Sequence, residues 1–255
     1  MSVSPPVLAV AGLAKSFAGF RAVQDIAFSV QAGEVVALIG PNGAGKTTTF
    51  NMINGQLRPD SGRVEMDGRD VTGLSPPELW RLGVARTFQI TATFASLTVA
   101  ENVAVALISR RGDVARTFTL DPVHREQAMR LLAEVGIASA ADRICGVLAY
   151  GDLKRVELAL ALASEPRLLL MDEPTAGMAP KERGALMSLV VRLAREKGVA
   201  VLFTEHDMDV VFRHADRVLV MNRGKLIAAG IPAEVRGNAE VREVYLGNGP
   251  AGGQG

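Results

Sequence analysis

The sequence is poor in most of what marks a specialised class. Its 255 residues include one cysteine, Cys145, so no disulfide can close within the chain and a reducing compartment is expected. A lone cysteine in such a chain is expected to be a small buried hydrophobe, not a nucleophile. Aromatic residues are few (nine Phe, two Tyr, one Trp) against 26 glycines, which points to tight turns and close backbone approaches in place of a bulky aromatic core. Charge of one sign is missing too. The 28 Lys plus Arg nearly cancel the 27 Asp plus Glu, leaving +1, so the basic footprint of a nucleic-acid binder is absent. With 48% hydrophobic residues the chain is nevertheless too apolar to stay disordered. Long apolar runs are absent. No stretch reaches the roughly 18 residues a spanning helix needs, and Glu157 interrupts Val156–Ala163. Met1–Pro6 has neither a basic start nor an apolar run, so no signal peptide is expected there. Any membrane role is expected to be peripheral, through a partner.

What is present is alternation. Ile26, Phe28 and Val30 alternate with polar residues, as in a half-buried strand, and Val35–Ile39 is a continuous apolar run, as in a fully buried one. Asp67-Gly68 between Arg63–Met66 and Arg69–Thr72 is a type I′ hairpin signal. Ser75-Pro76-Pro77-Glu78 and Thr98-Val99-Ala100-Glu101 are capping boxes. Asp121-Pro122 opens a further helix that stops at Gly136, and Asp152–Ser164 reads as another, so 90–160 is mostly helical. Strand–helix alternation returns with Leu168–Met171, the helix Pro180–Lys197 and Val199–Phe203, and Asn222-Arg223-Gly224 joins two more strands. This pattern predicts an α/β fold with a mostly parallel sheet, helices on both faces and an antiparallel edge.

Two motifs carry chemistry. Gly40-Pro41-Asn42-Gly43-Ala44-Gly45-Lys46-Thr47, followed by Thr48, fits G-x-x-x-x-G-K-[ST] between a buried strand and a helix. Glycines let backbone N–H groups turn inward around phosphate oxygens, and the helix N-terminus adds partial positive charge. Lys46 supplies a full charge, and the Thr47 hydroxyl suits Mg²⁺, which keeps most of its shell as water and phosphate oxygen. The second motif is Leu168–Met171 ending in Asp172-Glu173. Ligands of open parallel sheets lie at the carboxyl ends of strands. Asp172 is therefore placed to hold Mg²⁺, and Glu173 to take a proton from an attacking water.

With these motifs and those downstream, the sequence resembles the ATP-binding subunits of ABC transporters over nearly its whole length. The stretch Arg86-Thr87-Phe88-Gln89 looks like the Q-loop, in which Gln89 touches Mg²⁺ or the attacking water. Leu148-Ala149-Tyr150-Gly151-Asp152 stands in place of the signature, Ala176-Gly177-Met178-Ala179 at the D-loop, and Thr204-Glu205-His206-Asp207 at the switch histidine. Phe17 matches the aromatic that stacks on adenine. The resemblance implies a P-loop (RecA-like) core over 1–89 and 161–247, a helical subdomain over 90–160 and a flexible tail at 248–255. It further implies ATP and Mg²⁺ as ligands, with metal contacts from Thr47, Gln89 and Asp172, and catalytic roles for Glu173, His206 and Gln89. Implied too is a head-to-tail dimer, identical or heterologous, in which Gly151 of one subunit closes over ATP held by the other. The partners implied are membrane permease subunits, docked after Gln89 near Ile90–Leu97 with Phe94 as a contact. A solute-binding protein acts indirectly, and the place is the cytoplasmic face of the membrane.

Two departures stand out. Ala149 replaces the usual serine with Tyr150 in place of a glycine, and Ala179 replaces the usual D-loop aspartate. Both predict a slower or more partner-dependent ATPase. Within the family the details look most like the subunits for branched-chain amino-acid uptake, through Gly83–Gln89, Leu97–Val103, Leu148–Gly151 and Val244–Gly247. Importers of urea, amides or other amino acids, and an export ATPase group, have similar subunits. A P-loop phosphotransferase is a more distant alternative. It needs a basic lid, for which Arg110, Arg111, Arg116, Arg125 and Arg130 are available, but a glutamate directly after the Mg²⁺ aspartate favours water as acceptor. Near-neutral charge argues against an ATP switch acting on nucleic acid or ribosomes.

Overall fold

The computed structural model describes residues 5–87, 93–111 and 122–246. The expected tail at 248–255 and the helix start at Asp121 lie outside them. Strands β1 (Leu8–Phe17) and β2 (Phe20–Val30) form a hairpin, followed by β3 (Val35–Ile39), buried along its whole length. Next come α1 (Lys46–Ile53), β4 (Ser61–Met66), β5 (Arg69–Asp70), α2 (Pro76–Arg81) and β6 (Val84–Thr87). The helices α3 (Val99–Arg111), α4 (Pro122–Glu134) and α5 (Tyr150–Ala163) precede β7 (Leu168–Asp172). The chain closes with α6 (Pro180–Lys197), β8 (Ala200–Thr204), α7 (Met208–His214), β9 (Arg217–Asn222), β10 (Lys225–Gly230), α8 (Pro232–Gly237) and α9 (Ala239–Leu246).

There are two sheets. One runs β2-β1-β4-β5, antiparallel throughout, and the other β10-β9-β3-β8-β7-β6. In the second, β9, β3, β8, β7 and β6 are parallel and only β10 at the edge is antiparallel. Strand β3 lies between β8 and β9; from it the chain runs to the far edge at β6, returns through β7 and β8, and only then crosses to β9 on its other side. The carboxyl end of β3 is a topological switch point, where ligands of such sheets bind.

Strand alternation divides the core in two. Val35, Ala37, Ile39, Leu169, Met171, Val201 and Phe203 face a helical layer that includes Val103, Leu132, Val156 and Val190. Val36, Leu38, Leu168, Leu170 and Leu202 face the opposite way, against Phe50 and Ile53 of α1 and Leu8, Val10 and Val30 of the antiparallel sheet. Helices on both faces were expected. In fact the antiparallel sheet covers much of the second face, because the inward side chains of β1, β2 and β4 need an apolar partner, and the short helices α1 and α2 share that side with it.

The local signals act as expected. Glu78 accepts from the Ser75 backbone N–H at 2.8 Å, and in the second box Thr98 N donates to Glu101 at 2.7 Å while Glu101 N donates to Thr98 Oγ1 at 3.2 Å. Asp67 and Gly68 both take positive φ, as a type I′ turn requires, and so do Arg223 and Gly224. Cys145 is buried, and burial pushes its thiol pKa up, as for an inert packed cysteine. Several boundaries differ from expectation by one or two residues: β4 begins at Ser61, β5 ends at Asp70 and β7 ends at Asp172. Helix α5 begins at Tyr150, two residues early, which places Gly151 inside its first turn instead of before it, and β8 runs one residue later than Val199–Phe203. Among the described residues no helix is long and apolar enough to cross a membrane.

Candidate functional site

The loop 40–47 leaves β3 at the switch point and enters α1. Gly45 caps that helix at φ 103° without any side-chain cap, and no acidic residue occupies the first turn, so no carboxylate neutralises its free N–H groups. Gly45 is obligatory for a second reason. A Cβ there would lie 2.4 Å from the carbonyl oxygen of Ala22 on β2, and one on Gly40 would lie 2.3 Å from that of Met221 on β9. Both neighbouring strands thus press on the loop backbone. Asn42, Gly43 and Thr47 are exposed, Thr48 is half-buried and Ala44 is packed.

Lys46 is buried, and its Nζ donates to Gly40 O at 2.6 Å and Pro41 O at 3.2 Å, which places the ammonium in the centre of the loop. Burial pushes its pKa below the ordinary lysine value, while the carboxylates of Glu173 and Asp172 pull it back up. The lysine of one motif is thus felt by the acid pair of the other, 126 residues away in sequence (172 − 46).

The acid pair sits at the end of β7, locked to the end of β8. Thr204 Oγ1 donates to Asp172 Oδ1 at 2.6 Å, and the Glu173 N–H donates to Thr204 Oγ1 and O, each at 3.1 Å. Glu173 itself has φ 49°, a left-handed conformation that costs a glutamate about 1 kcal/mol or more and persists only where the surroundings impose it. Its Oε1 meets His206 Nε2 at 2.8 Å. The sequence therefore singled out Lys46, Asp172, Glu173 and His206 separately, and the fold groups them at the carboxyl ends of β3, β7 and β8.

Other residues hold this group together. Glu205 is buried and accepts from the Thr175 N–H at 2.9 Å and from its hydroxyl, and with its second oxygen from the His206 N–H at 3.0 Å. It thereby ties the turn after Glu173 to the turn carrying His206. Asp207 caps α7 and pairs with Arg183 at 2.7 Å, whose Nε also donates to Met178 O at 2.8 Å. Arg86 on β6 reaches Asp172 Oδ2 at 3.2 Å. None of these roles was visible beforehand. The one signal was an arginine or glutamate at the buried end of an apolar strand, where charge is rare without a partner.

Phe17 and Phe20 face each other at the tip of the β1–β2 hairpin and are 46% and 64% exposed. Phe17 is therefore not a core aromatic but a ring exposed at the surface, with Lys15 Nζ over it 5.8 Å from its centroid. Gln89, expected to touch Mg²⁺ or the attacking water, lies outside the described residues, as do Phe88 and 90–92. Gly151 and its neighbours form the uncapped first turn of α5, with the Tyr150 ring against Gly177. Among the described residues no hydrogen bond or ion pair joins this turn to the loop 40–47.

The donors suit a phosphate chain and a hard cation. No cluster of three or more His, Cys, Asp or Glu that could cage a metal occurs among the described residues. Thr47 and Asp172 offer one hydroxyl and one carboxylate, the sparse oxygen set that suits Mg²⁺ with water and phosphate completing its shell.

Residues 23–176 match the ABC transporter family, and residues 225–251 match the branched-chain amino acid ATP-binding cassette transporter family. The high-affinity branched-chain amino acid transport ATP-binding protein BraF of Pseudomonas aeruginosa is 39% identical, over 96% of this chain and 99% of its own. The fold superposes on the ADP conformation of MJ1267, an ATP-binding cassette of an ABC transporter, with TM-score 0.87 and 33% identity, covering 96% of this chain and all of that one. It also superposes on the dimeric post-hydrolysis state of the cassette MJ0796 bound to ADP and Pi, with TM-score 0.75 and 26% identity over 88% of this chain and 98% of that one. This chain belongs to the ATP-binding, ATP-hydrolysing subunits of the ABC transporter family and resembles its branched-chain amino-acid group.

Proposed function

We propose that this subunit drives uptake of branched-chain or related amino acids through separate membrane subunits, from the cytoplasmic face of the membrane. The observation that carries the catalytic part is the grouping of Glu173, His206, Asp172 and Lys46 at adjoining strand ends. In this reading Phe17 stacks on the adenine. The amides of Gly40, Asn42, Gly43, Ala44 and Gly45 and the Lys46 ammonium hold the β- and γ-phosphates, with Thr47 and Thr48 at the helix end. Thr47, Asp172 and Gln89 would hold Mg²⁺, which when bound would draw charge from the phosphate oxygens. Glu173 accepts a proton from a water attacking the γ-phosphorus while the bond to the β-phosphate oxygen breaks, releasing ADP and phosphate. The Glu173–His206 contact holds the base in place and leaves the imidazole beside the γ-phosphate.

Two copies, or one copy and a homologue, act head to tail. The start of α5 around Gly151 has no side-chain cap, although Asp152 stands in its first turn, and its amides are the donors offered to a second subunit's nucleotide. The dimeric cassette of similar fold supports this arrangement. Ala149 and Ala179 bring no polar atom to that interface, which favours a slow isolated ATPase.

The membrane partner fits a cavity of about 470 Å³ lined by Leu79, Trp80, Phe94, Val105, Leu160 and Arg86. Phe94 is 57% exposed at its rim, an apolar anchor for a short segment of a membrane subunit. Uptake of branched-chain amino acids is supported by the match at 225–251 and by the likeness to BraF.

The test is reconstitution. The protein, assembled in proteoliposomes with the membrane subunits it co-purifies with, is expected to hydrolyse ATP faster and to move leucine, isoleucine or valine. Hydrolysis that ignores the membrane subunits contradicts the coupling, and transport of other solutes alone contradicts the substrate. Phe94→Ala is expected to weaken assembly while leaving ATP binding intact.

A further inference from the structure

Arg86 is the charged residue of β6, a strand whose other members are Val84, Ala85 and Thr87. Its guanidinium has three partners. Nη1 donates to Asn51 Oδ1 at 3.0 Å and to Gln56 Oε1 at 2.8 Å, and Nη2 donates to Asp172 Oδ2 at 3.2 Å. The Arg86 and Asp172 side chains are only 15% and 10% exposed. Asn51 belongs to α1, the helix that begins with Lys46 and Thr47, so the fork spans from the phosphate-loop helix to the acid pair.

Each oxygen of Asp172 has a partner in this arrangement. Thr204 occupies Oδ1 and Arg86 occupies Oδ2. A carboxylate this far from water needs compensation, since its charge costs several kcal/mol if left bare. A divalent cation supplies that compensation when it is bound. Arginine supplies it otherwise, because its guanidinium never loses its proton and its planar fork can hold several acceptors at once.

We propose that Arg86 is a built-in cation for Asp172, which stands in for Mg²⁺ and sets how strongly nucleotide binding depends on that ion. The inference rests on the reading of Asp172 as a Mg²⁺ contact. The fixed positive charge has two effects. It helps hold the phosphate chain when Mg²⁺ is scarce, and it opposes a second cation at Asp172 when Mg²⁺ is plentiful. Without Arg86, Asp172 keeps only the Thr204 hydrogen bond and the more distant Lys46 ammonium, and Mg²⁺ supplies the compensation that is lost.

The test is equilibrium binding of a fluorescent ATP analogue to the full-length protein across a Mg²⁺ titration, with thermal melts in Mg²⁺ alone. For Arg86→Gln the half-saturating Mg²⁺ concentration is expected to fall about threefold to tenfold, the scale of one partly screened charge a few ångströms away. Affinity in excess chelator is expected to fall by a similar factor. Mg²⁺ without nucleotide is expected to raise the melting temperature of R86Q but not of the wild type. Arg86→Lys keeps the charge but not the fork, so its Mg²⁺ curve is expected to lie between those of wild type and R86Q. An R86Q curve that coincides with wild type overturns the inference, and so does an R86K curve displaced as far as that of R86Q. If R86Q does not fold, Arg86→Met takes its place as the charge-free variant under the same criteria. A wild-type protein that binds no nucleotide at any Mg²⁺ concentration overturns the broader functional reading instead, and the two failures are distinct.

Discussion

Glu173 Oε1 and His206 Nε2 lie 2.8 Å apart, and the two residues come from turns at the ends of adjacent strands, joined by the buried Glu205. The contact fixes a glutamate already held in a left-handed conformation. Its carboxylate is steered by a fold-level device, not by its own rotamer preference. A base held this way is expected to matter to the rate and little to binding.

Glu173→Gln is accordingly expected to slow ATP hydrolysis by about 10²- to 10⁴-fold, the range for loss of a positioned general base, with ATP affinity within a few-fold of wild type. His206→Ala in the Glu173→Gln background is expected to cost little more, because residues acting as one unit are not additive. Single-turnover hydrolysis and equilibrium binding check both statements. Additive losses in the double variant contradict the unit.

Gly45→Ala tests the geometry of the loop. The added methyl meets the Ala22 carbonyl at 2.4 Å, in a backbone conformation at φ 103° that alanine disfavours. The variant is expected to lose about 1–3 kcal/mol of stability from strain of this kind and to bind ATP more weakly, seen in denaturant melts and titrations. A neutral Gly45→Ala means that β2 does not press on the loop.

Asp207 gives the structure a pH signature. The hydrogen bond from Arg183, with help from the α7 backbone amides, holds its carboxyl below the ordinary aspartate value of 3.8. A group with a depressed folded pKa adds stability that is present above the unfolded value and is lost as pH falls through the folded one. Asp207→Ala is therefore expected to lower the melting temperature at pH 7, by an amount matching a lost helix cap of about 1 kcal/mol. The gap is expected to narrow and close as pH falls below the ordinary aspartate value and through the lower folded one. Melts of both proteins across pH 2.5–7 read this directly, and a gap constant with pH contradicts it.

The legible parts of the fold were those fixed by local rules. The phosphate-loop strand and helix, both capping boxes, the hairpins at Asp67-Gly68 and Arg223-Gly224 and the helix Pro180–Lys197 follow from spacing and turn chemistry within a few residues. The antiparallel sheet that covers one face of the core was not legible, since it depends on which apolar faces meet in space. The same holds within the site. Lys46, Asp172 and His206 stand in recognisable strings, whereas Arg86, Thr204 and Glu205 matter through partners 86, 32 and 30 residues away. Such contacts leave no local pattern beyond a polar residue at the buried end of a strand.

The phosphate cradle around Lys46 supports every role assigned to the other residues. Equilibrium titration of ATP with Mg²⁺ present, into wild type and Lys46→Ala, probes it without reference to transport. Saturable binding by the wild type and a loss of about 10- to 100-fold in the variant are expected, the scale of charge-assisted hydrogen bonds worth roughly 1.5–3 kcal/mol. A wild type that does not bind ATP, or a Lys46→Ala variant that binds it equally well, contradicts the account.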